Sequence, residues 1–530
     1  MLASCTRLFE DEATESATST IDPRSGDAAP SGLLRVSGRV VLRSDRRVAG
    51  VLIEPGGELV FHPGRDVTLR STRNIVVLGR LTMKPRGPKV QHKIVFANVN
   101  ESGFEGGGMD VLDSDVGLWV MQNGVLDIAG EEKLAWTRTT GSVEANAETI
   151  ELSADPAGWR VGDELVITPT GSPSTGGHST AFDVTTVQAM AGRTITLGRR
   201  TNFAHPAVDS QGETFTSEVL NLTRNVRIEG TPGGRAHVFI RSGRRQRVRF
   251  ASIRHVGPSR VLGRYGLHFH HCHKGSKGSL AEGVVVRDAG HHAFVPHMSH
   301  GVTFSNCVSF DTESEAYWWD LLDATHGALY KSCVAALVRP GFEDDRGLRL
   351  SGFSINRGNR NTARGCVAVG VQGDKNASGF HWPEAGQGDG MGVWTFEDNM
   401  AHNCRNDGIF TWQNDESVHN IDRFVAYRCG SFGIEHGAYF NRYRYRDALL
   451  VQNAAGGVLN HARSGTSGRT VAFERVVIED SPVGFLEGEI NEAAEGNPPA
   501  IVCSPVFRNV AVEVDDGSHP SKTFNVQTSC

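Results

Sequence analysis

The sequence predicts an all-β protein built around a right-handed parallel β-helix, with an N-terminal β-rich domain packed on the helix or continuing it. Three observations favour this fold class. Short strand-like segments recur every 24 to 33 residues from about residue 250 onward, helical periodicity is nearly absent, and 62 of the 530 residues are glycine. Repeats of roughly 20–50 residues are typical of solenoids, and repeats of short strands favour a β-helix.

Each repeated unit contains a short strand, a turn with Asn, Asp or Gly, and a second short strand. Aligning the units places one column of residues at the same point of each unit: Cys307, Cys333, Cys366, Asn399, Phe424, Ala448 and Val476. In a parallel β-helix such a column is one inward-facing stack along the axis. We therefore predict that its three cysteines are buried structural residues rather than redox or metal-binding groups.

The region before residue 225 also alternates between polar and apolar residues, as strands do. The segments GRVVLRSDRRVAGVLIEPGGELVF and NIVVLGRLTMKP contain strands separated by turns, and DPAGWRVGDELVITPT is typical of a hairpin. The predicted organisation has five parts: a disordered segment 1–33, a β domain 34–165, a β-hairpin connection 166–224, the β-helix 225–515 and a C-terminal tail 516–530.

Composition excludes several classes of protein. Apolar residues make up 39% of the chain and charged residues 22%, which excludes a mainly disordered chain. The chain has 54 basic and 60 acidic residues and a net charge of −6, so bulk charge gives no reason to expect a nucleic-acid partner. No apolar run of about 18 residues is present, so we expect no transmembrane segment. We also expect a monomer.

The start of the chain allows two interpretations. Leu2-Ala3-Ser4-Cys5 has the form of the end of a bacterial lipoprotein signal, but the regions that should precede it are missing. Either the start is truncated upstream and Cys5 carries a lipid anchor, or the match is chance. Residues 6–31 are rich in Ser, Thr, Asp, Glu and Pro and are predicted to be a disordered linker. At the other end, Cys503 and Cys530 are candidates for a disulfide.

Histidines are concentrated in one part of the chain, since nine of the 21 lie in the 46 residues 255–300. His268 and His270 are two residues apart on a predicted strand, so both imidazoles lie on one face. His297 falls at a comparable place on the next coil, about 4.8 Å away. Two imidazoles on one strand face can chelate a metal or share acid–base work.

The following coil, DTESEAYWWD, adds acidic and aromatic groups. Glu315 and Asp320 are candidate carboxylates, predicted to join the three histidines in one catalytic patch. Trp318 and Trp319 point to opposite faces of a strand, so one belongs in the core and the other is a candidate sugar-stacking platform. Further candidate platforms are Trp382 and Trp412.

Arginines cluster in IRSGRRQRVRF and in DRGLRLSGFSINRGNRNTAR, which contains Arg349 and Arg357. Guanidinium groups suit carboxylate or sulfate ligands, so these clusters indicate an anionic ligand. The alternative is ordinary pairing with the 60 acidic residues.

Two stretches resemble a known family. RYGLHFH (264–270) and VPHMSHGVTFSNCVSFDT (295–312) are similar to the signature of the cell migration-inducing and hyaluronan-binding protein family, which includes the cell-surface hyaluronidase transmembrane protein 2. The segments VLIEPGGELVF and NIVVLGRLTM resemble the eight-glycine domain of that family, and the resemblance extends over about residues 34–480.

The resemblance implies a right-handed β-helix that binds or depolymerises hyaluronan or a related uronate-containing polysaccharide. It implies site roles for Arg264, His268, His270, His297 and Asp311. Where the family has Pro, His and Glu, this chain has three departures: Gly266, Glu315 and Asp320. The chain also lacks the transmembrane segment and extra modules of the animal proteins, so we expect a microbial relative.

Three classes of function remain open at the level of the sequence. The first is an extracellular or cell-surface depolymerase, acting by hydrolysis with two carboxylates such as Glu315 and Asp320 or Asp311. His268 or His270 could instead be the general acid or base, or elimination could use Arg264 and a histidine, with Ca²⁺ held by acidic side chains. The second class is a non-catalytic carbohydrate-binding or adhesion protein, and the third is a structural solenoid.

Overall fold

The protein is nearly all β. A computed structural model describes residues 31–318, 323–341, 350–355, 357–374, 377–382, 392–412, 417–437, 442–461, 471–488, 499–517 and 524–530. These residues form 50 β-strands and two single turns of 3-10 helix, Glu101–Gly103 and Lys274–Ser276. The predicted all-β class is confirmed. The described residues include no helix with the length and apolarity that a membrane span needs.

The chain divides into two compact units. Unit 1 consists of Met1–Ala135 and Leu222–Glu313, and unit 2 consists of Trp136–Asn221 and Ser314–Cys530. The limits of these units differ from the domain boundaries expected from the sequence. Those expected boundaries stay predictions.

The strands of unit 1 come from two stretches of chain, with those of an inserted segment of unit 2 between them. The first stretch contains β1 (Ser31–Val36), β2 (Arg39–Leu42), β3 (Arg46–Ile53), β4 (Glu58–Phe61), β5 (Val67–Ser71), β6 (Ile75–Val77), β7 (Arg80–Met83), β8 (His92–Phe96), β9 (Leu118–Gln122) and β10 (Val125–Ala129). The inserted segment contains β11 (Trp136–Arg138), β12 (Thr149–Glu151), β13 (Glu164–Ile167), β14 (Asp183–Ala191), β15 (Thr194–Leu197), β16 (Val208–Ser210), β17 (Glu213–Phe215) and β18 (Glu218–Asn221). The second stretch contains β19 (Val226–Glu229), β20 (Val238–Ser242), β21 (Arg247–Arg249), β22 (Ala251–Val256), β23 (Leu267–His273), β24 (Leu280–Glu282), β25 (Val285–Ala289), β26 (Phe294–Ser299), β27 (Thr303–Ser305) and β28 (Val308–Glu313).

The remaining strands belong to unit 2. Its first eleven are β29 (Leu329–Lys331), β30 (Val334–Arg339), β31 (Ser351–Ser354), β32 (Asn361–Arg364), β33 (Val367–Val371), β34 (Ser378–Trp382), β35 (Trp394–Glu397), β36 (Met400–His402), β37 (Asp407–Thr411), β38 (Val418–Asp422) and β39 (Val425–Tyr427). The last eleven are β40 (Phe432–His436), β41 (Arg442–Arg446), β42 (Leu449–Val451), β43 (Gly456–Asn460), β44 (Ala472–Glu474), β45 (Val477–Glu479), β46 (Val483–Glu487), β47 (Ala500–Cys503), β48 (Val506–Arg508), β49 (Val512–Asp515) and β50 (Phe524–Gln527).

Unit 1 is a parallel β-helix with three rows of strands. Row 1 contains β3, β5, β8, β19, β22, β25 and β28; row 2 contains β6, β9, β20, β23 and β26; and row 3 contains β2, β4, β7, β10, β21, β24 and β27. The long strands β1 and β3 each run through rows 1 and 2, since β1 pairs with β3 and β3 pairs with both β5 and β6. Since β8, β9 and β10 pair in parallel with β19, β20 and β21, the N-terminal strands are coils of the same solenoid.

Unit 2 contains a second set of parallel coils and one antiparallel insertion. Its three rows of parallel strands are β30-β33-β36-β39-β42-β45-β48, β31-β34-β37-β40-β43-β46-β49 and β29-β32-β35-β38-β41-β44-β47-β50. The inserted segment forms an antiparallel sheet in the order β11-β18-β13-β14-β15-β12 and a hairpin of β16 with β17. The predicted parallel β-helix is therefore present in both units.

A single left-handed residue lies in the turn before β28 of unit 1 and in the turns before β30 and β36 of unit 2. Asn306, Ser332 and Asp398 occupy this position with φ of 52°, 52° and 58°. The next residue is the one that the sequence alignment placed in a column. Cys307, Cys333 and Cys366 are fully buried there, as predicted. The cysteines fill the inside of the turn with small side chains that need no hydrogen-bond partner.

Buried polar groups hold the insertion of unit 2 against its coils. The Glu218 carboxylate accepts a hydrogen bond from Arg138 Nε at 3.0 Å and lies 2.9 Å from His402 Nε2. Burial opposes ionisation of Glu218, but His402 and Arg138 outweigh burial and lower the pKa of this carboxyl well below its usual range. At the end of the chain, Cys503 and Cys530 form a disulfide, as the sequence allowed.

Candidate functional site

Histidines of two adjacent strands in row 2 of unit 1 form the candidate site. His270 on β23 is paired in register with His297 on β26. His268 lies two residues earlier on β23, on the same face as His270. Side chains alternate between the two faces of β23, and β23 pairs with β26 on the next coil. These two features bring together the three imidazoles that the sequence predicted to be neighbours.

A bulge adds a fourth imidazole to this cluster. Consecutive residues of a regular strand point to opposite faces, but the register of β23 with β26 shifts between His270 and His273. His271 has a left-handed φ of 48° at this irregularity. Its ring centroid lies 4.4 Å from that of His270 and 4.7 Å from that of His297. We call His268, His270, His271 and His297 the histidine cluster.

The nitrogen atoms of the cluster are close enough to act together. His268 Nε2 lies 3.2 Å from His270 Nδ1, and His268 Nδ1 donates a hydrogen bond to the Gly263 carbonyl oxygen at 2.9 Å. Because Nδ1 carries that proton, Nε2 of His268 presents its lone pair towards His270. One nitrogen from each of His268, His270 and His297 lies within 4.8 Å of the others.

Burial differs within the histidine cluster. His268 is fully buried and His297 is 7% exposed, whereas His270 and His271 are partly exposed. Burial, followed by the neighbouring His270 and His297, lowers the pKa of His268 well below its usual value. Burial, then His297 and His271, lowers the pKa of His270 to about 2. The imidazoles of His268 and His270 are therefore uncharged at neutral pH. A large ligand can reach His270 and His271, because these two side chains are partly exposed.

Arg264 does not occupy the place that its predicted role requires. Its side chain is fully buried, with Nε 2.6 Å from an Asp115 carboxylate oxygen. The guanidinium also lies 4.6 Å from the ring centroid of Trp119 and donates a hydrogen bond to the Gly107 carbonyl. A guanidinium that is already paired inside the protein cannot neutralise a substrate carboxylate without breaking that pair. The structure corrects the prediction: Arg264 positions the segment that holds the Gly263 carbonyl next to His268.

Arg241 is the guanidinium that lies beside the histidine cluster near the surface. It follows Ile240 on β20, and Ile240 pairs with Phe269 on β23. Arg241 is half-buried, and its charge is among the groups that lower the pKa of His270. Within the described residues its side chain forms no hydrogen bond or ion pair. In the sequence Arg241 is one of several clustered arginines, and no local pattern connects it with the histidines.

The predicted acidic residues have separate locations. Asp311 is partly exposed on β28 in row 1, whereas the histidine cluster lies on row 2. Glu315 and Trp318 belong to unit 2 and are buried, with 2% and 5% of their surface exposed. The binding role of Asp311 and the catalytic role of Glu315 stay predictions. Trp318 is buried and has no open face on which a sugar ring could stack. Three predicted site residues lie outside the described residues: Trp319, Asp320 and Arg349.

The other two tryptophans differ in exposure. Trp382 is completely buried, and its ring centroid lies 5.2 Å from Phe396 and 6.0 Å from Trp394. It is a core residue of unit 2, which corrects its prediction as a sugar platform. Trp412 is partly exposed and stacks on Phe410, so it stays a candidate platform. Arg357 is half-buried and also stays a candidate.

We expect Trp382→Ala to destabilise the protein and Trp412→Ala to leave its stability nearly unchanged. Removing a large buried aromatic side chain costs about 3–5 kcal/mol, because a cavity remains in the core. Trp412 is the matched control, since it is a tryptophan in the same unit with an exposed face. Urea unfolding measures the difference. Equal stabilities for the two variants would contradict the assignment of Trp382 to the core.

A carboxyl pair in unit 2 was missed by the sequence analysis. Asp407 on β37 and Glu435 on β40 are 2% and 7% exposed. Burial, and then the neighbouring Glu435, raises the pKa of Asp407 well above its usual range. Glu435 Oε1 lies 3.1 Å from His461 Nε2. The residues are 28 positions apart, close to the repeat length, and this spacing between two carboxylates is the only sequence signal that points to them.

The residues around the histidine cluster match a known family. Residues 233–420 match the family model described as the CEMIP beta-helix. Over these residues, about a third of the chain, the sequence is similar to the β-helix of that family. The resemblance seen in the sequence is confirmed, while the microbial origin stays a prediction.

The curated relatives that the chain matches are distant and much longer. A G8 domain-containing protein of Dictyostelium discoideum is 24% identical over 273 residues, covering 48% of this chain and 24% of that protein. Human Fibrocystin-L is 22% identical over 389 residues, covering 63% of this chain and 9% of that protein. The chain thus spans about a quarter or less of the curated relatives that it matches.

Two solved structures are distantly similar to this chain. The catalytic domain of a GH87 α-1,3-glucanase in complex with nigerose has a TM-score of 0.34 and 13% identity, covering 76% of this chain and 91% of that chain. The tailspike of Pseudomonas phage phi297 has a TM-score of 0.28 and 11% identity, covering 92% of this chain and 72% of that chain.

Proposed function

We propose that the protein binds and cleaves an anionic, uronate-containing polysaccharide, hyaluronan or a related polymer, at the histidine cluster of unit 1. One observation carries the proposal: four imidazoles lie together on row 2 with the Arg241 guanidinium beside them, and His270, His271 and Arg241 reach the surface. The match to the CEMIP β-helix supports the choice of polymer. An extracellular or cell-surface location is part of the proposal, because polysaccharides of this class lie outside cells.

The groups of the histidine cluster suit elimination next to a uronate. The Arg241 guanidinium binds the carboxylate, which makes the adjacent C5 proton easier to remove. The His271 imidazole accepts that proton, and the electron pair forms the C4–C5 double bond. The C4–O glycosidic bond breaks, and the leaving oxygen takes up a proton from water, while protonated His271 returns its proton to solvent. This is the base and cation that elimination requires, with Arg241 in the role that the sequence analysis gave to Arg264.

Hydrolysis is the second candidate, and the carboxyl pair of unit 2 favours it. Hydrolysis needs one protonated carboxyl and one carboxylate on either side of the glycosidic bond. Burial, and then the neighbouring Glu435, raises the pKa of Asp407, which favours the protonated form that a general acid needs. If the protein hydrolyses its substrate, the substitution experiment described below for His270 applies to Asp407 instead.

Incubation of the purified protein with hyaluronan, chondroitin, alginate and pectate tests the proposal. We expect at least one polymer to become shorter by size-exclusion chromatography, with new ultraviolet absorbance from unsaturated uronate. Shortening without absorbance would indicate hydrolysis and direct attention to Asp407 and Glu435. If no polymer is shortened, the cleavage proposal is wrong, and a binding or adhesion protein becomes the better description.

We expect Arg241→Gln to raise KM about tenfold or more and to lower kcat less. A hydrogen bond to a charged group contributes about 1.5–3 kcal/mol, and that contribution is lost for the substrate carboxylate. Arg245→Gln is the matched control, because Arg245 is exposed in the turn after β20. Steady-state kinetics on the cleaved polymer measures both variants. Equal KM values for Arg241→Gln and the wild type would exclude Arg241 from substrate binding.

A further inference from the structure

Three members of the histidine cluster have the geometry of a metal site. Zinc bound by nitrogen at 2.0–2.1 Å in a tetrahedron implies about 3.3–3.4 Å between neighbouring nitrogens. His268 Nε2 and His270 Nδ1 are 3.2 Å apart, and one nitrogen of His297 lies within 4.8 Å of both. Small rotations of the partly exposed His270 ring would complete the arrangement.

The orientation of His268 is fixed in advance. Its Nδ1 donates to the Gly263 carbonyl, which leaves Nε2 as the atom that can bind a metal. That carbonyl belongs to a segment held by Arg264, through Asp115, and by the hydrogen bond from Gly107 N–H to the Leu262 carbonyl at 2.8 Å. Metal-binding histidines usually have such a second hydrogen bond, which sets the tautomer and the ring orientation.

The donor set selects the class of ion. Three imidazole nitrogens suit zinc and similar d-block cations, whereas Ca²⁺ and Mg²⁺ prefer oxygen ligands. The calcium prediction from the sequence therefore gains no support at this cluster. Three protein ligands leave a fourth position open, as in catalytic zinc sites. His270 faces the surface there, and the neighbouring charge of Arg241 favours an anion as the fourth ligand.

We propose that His268, His270 and His297 bind one divalent cation of the zinc class, with a fourth position open towards the surface. This inference does not depend on the proposed cleavage of polysaccharides, because it concerns binding alone. If the protein also acts on a uronate polymer, the ion adds a second positive charge next to Arg241 for the substrate carboxylate, and His271 remains as the proton acceptor.

Metal binding to the untagged full chain tests the proposal without any glycan. Protein treated with chelator and then dialysed is titrated with Zn²⁺ by calorimetry and with Co²⁺ by absorption spectroscopy. We expect one ion per chain and the intense visible bands of four-coordinate Co²⁺. His270→Ala and His297→Gln should each weaken binding by about 100-fold or more, since even loss of a supporting outer group costs about 10–100-fold.

His273→Asn is the matched control for metal binding. His273 is exposed on the same strand and has a left-handed φ of 48°, which asparagine tolerates. We expect its affinity for Zn²⁺ to equal that of the wild type. Circular dichroism confirms that each variant is folded, and His297→Gln decides the question if His270→Ala is not folded. Absence of binding by the wild type, or equal binding by the folded His270 and His297 variants, would overturn the proposal.

Discussion

His270→Ala is expected to lower the rate of polysaccharide cleavage by about 10²-fold or more, because the His270 ring lies 4.4 Å from that of the proposed base His271 and its loss would misplace that base. His270 is the central member of the histidine cluster, with Nδ1 3.2 Å from His268 Nε2 and its ring centroid 4.8 Å from that of His297. Removing it leaves the buried His268 without its neighbour and opens a gap beside His271. Because His270 is partly exposed, we expect the variant to fold.

The expected change is in turnover rather than in affinity for the polymer. The measurement compares kcat and the dissociation constant for an intact polymer, using wild type, His270→Ala and the control His273→Asn. The control should resemble the wild type in both quantities. Unchanged turnover in folded His270→Ala would place the chemistry elsewhere, and a change in affinity alone would support the binding protein.

Arg264→Met is expected to destabilise the protein by about 3–5 kcal/mol, because it leaves the buried Asp115 carboxylate without its charged partner. Both side chains are fully buried, and the guanidinium and carboxylate are 2.6 Å apart. Burial alone would raise the pKa of Asp115, but hydrogen bonds from the Glu105 N–H and Ser114, together with Arg264, outweigh burial and lower it. The carboxylate is therefore ionised in the folded protein and depends on these partners.

An exposed ion pair of the same unit is the control for this prediction. Arg39 and Glu58 are 3.1 Å apart with 64% and 28% of their side chains exposed. Arg39→Met should cost about 0–1 kcal/mol, since solvent screens such pairs. The combined variant Arg264→Met with Asp115→Leu should lose less stability than the sum of its parts, because no unpaired charge remains. Urea unfolding measures five proteins: the wild type, Arg264→Met, Asp115→Leu, the combined variant and Arg39→Met. A stable but inactive Arg264→Met variant would restore Arg264 as a substrate-binding residue.

The fold could be predicted from the sequence because it depends on local patterns. Alternation with a period of two identifies strands, and the repeat length identifies coils. The meeting of His268, His270 and His297 follows from the same two rules, since it needs only one strand face and one coil spacing. His271 could not be predicted, because the bulge and the positive φ that turn it towards His270 have no clear signal in the sequence.

The roles of charged and aromatic residues depended on long-range contacts that no local pattern shows. Arg264 and Asp115 are 149 residues apart, and only their contact shows that Arg264 is buried and paired. Arg241 appeared in the sequence as one of several arginines, and the pairing of β20 with β23 places it beside His270. Trp382 ends β34 and Trp412 directly follows β37, but packing against Phe396 and Trp394 puts only Trp382 in the core.

The most direct test of the central claim is a crystal structure of His270→Ala with a bound oligosaccharide of the polymer that the wild type cleaves. We predict that the oligosaccharide lies across β20, β23 and β26, with a uronate carboxylate on Arg241 and the C5 atom of that uronate next to His271. An oligosaccharide bound at Asp407 and Glu435, or anywhere away from row 2 of unit 1, would contradict the assignment of the histidine cluster as the site of cleavage.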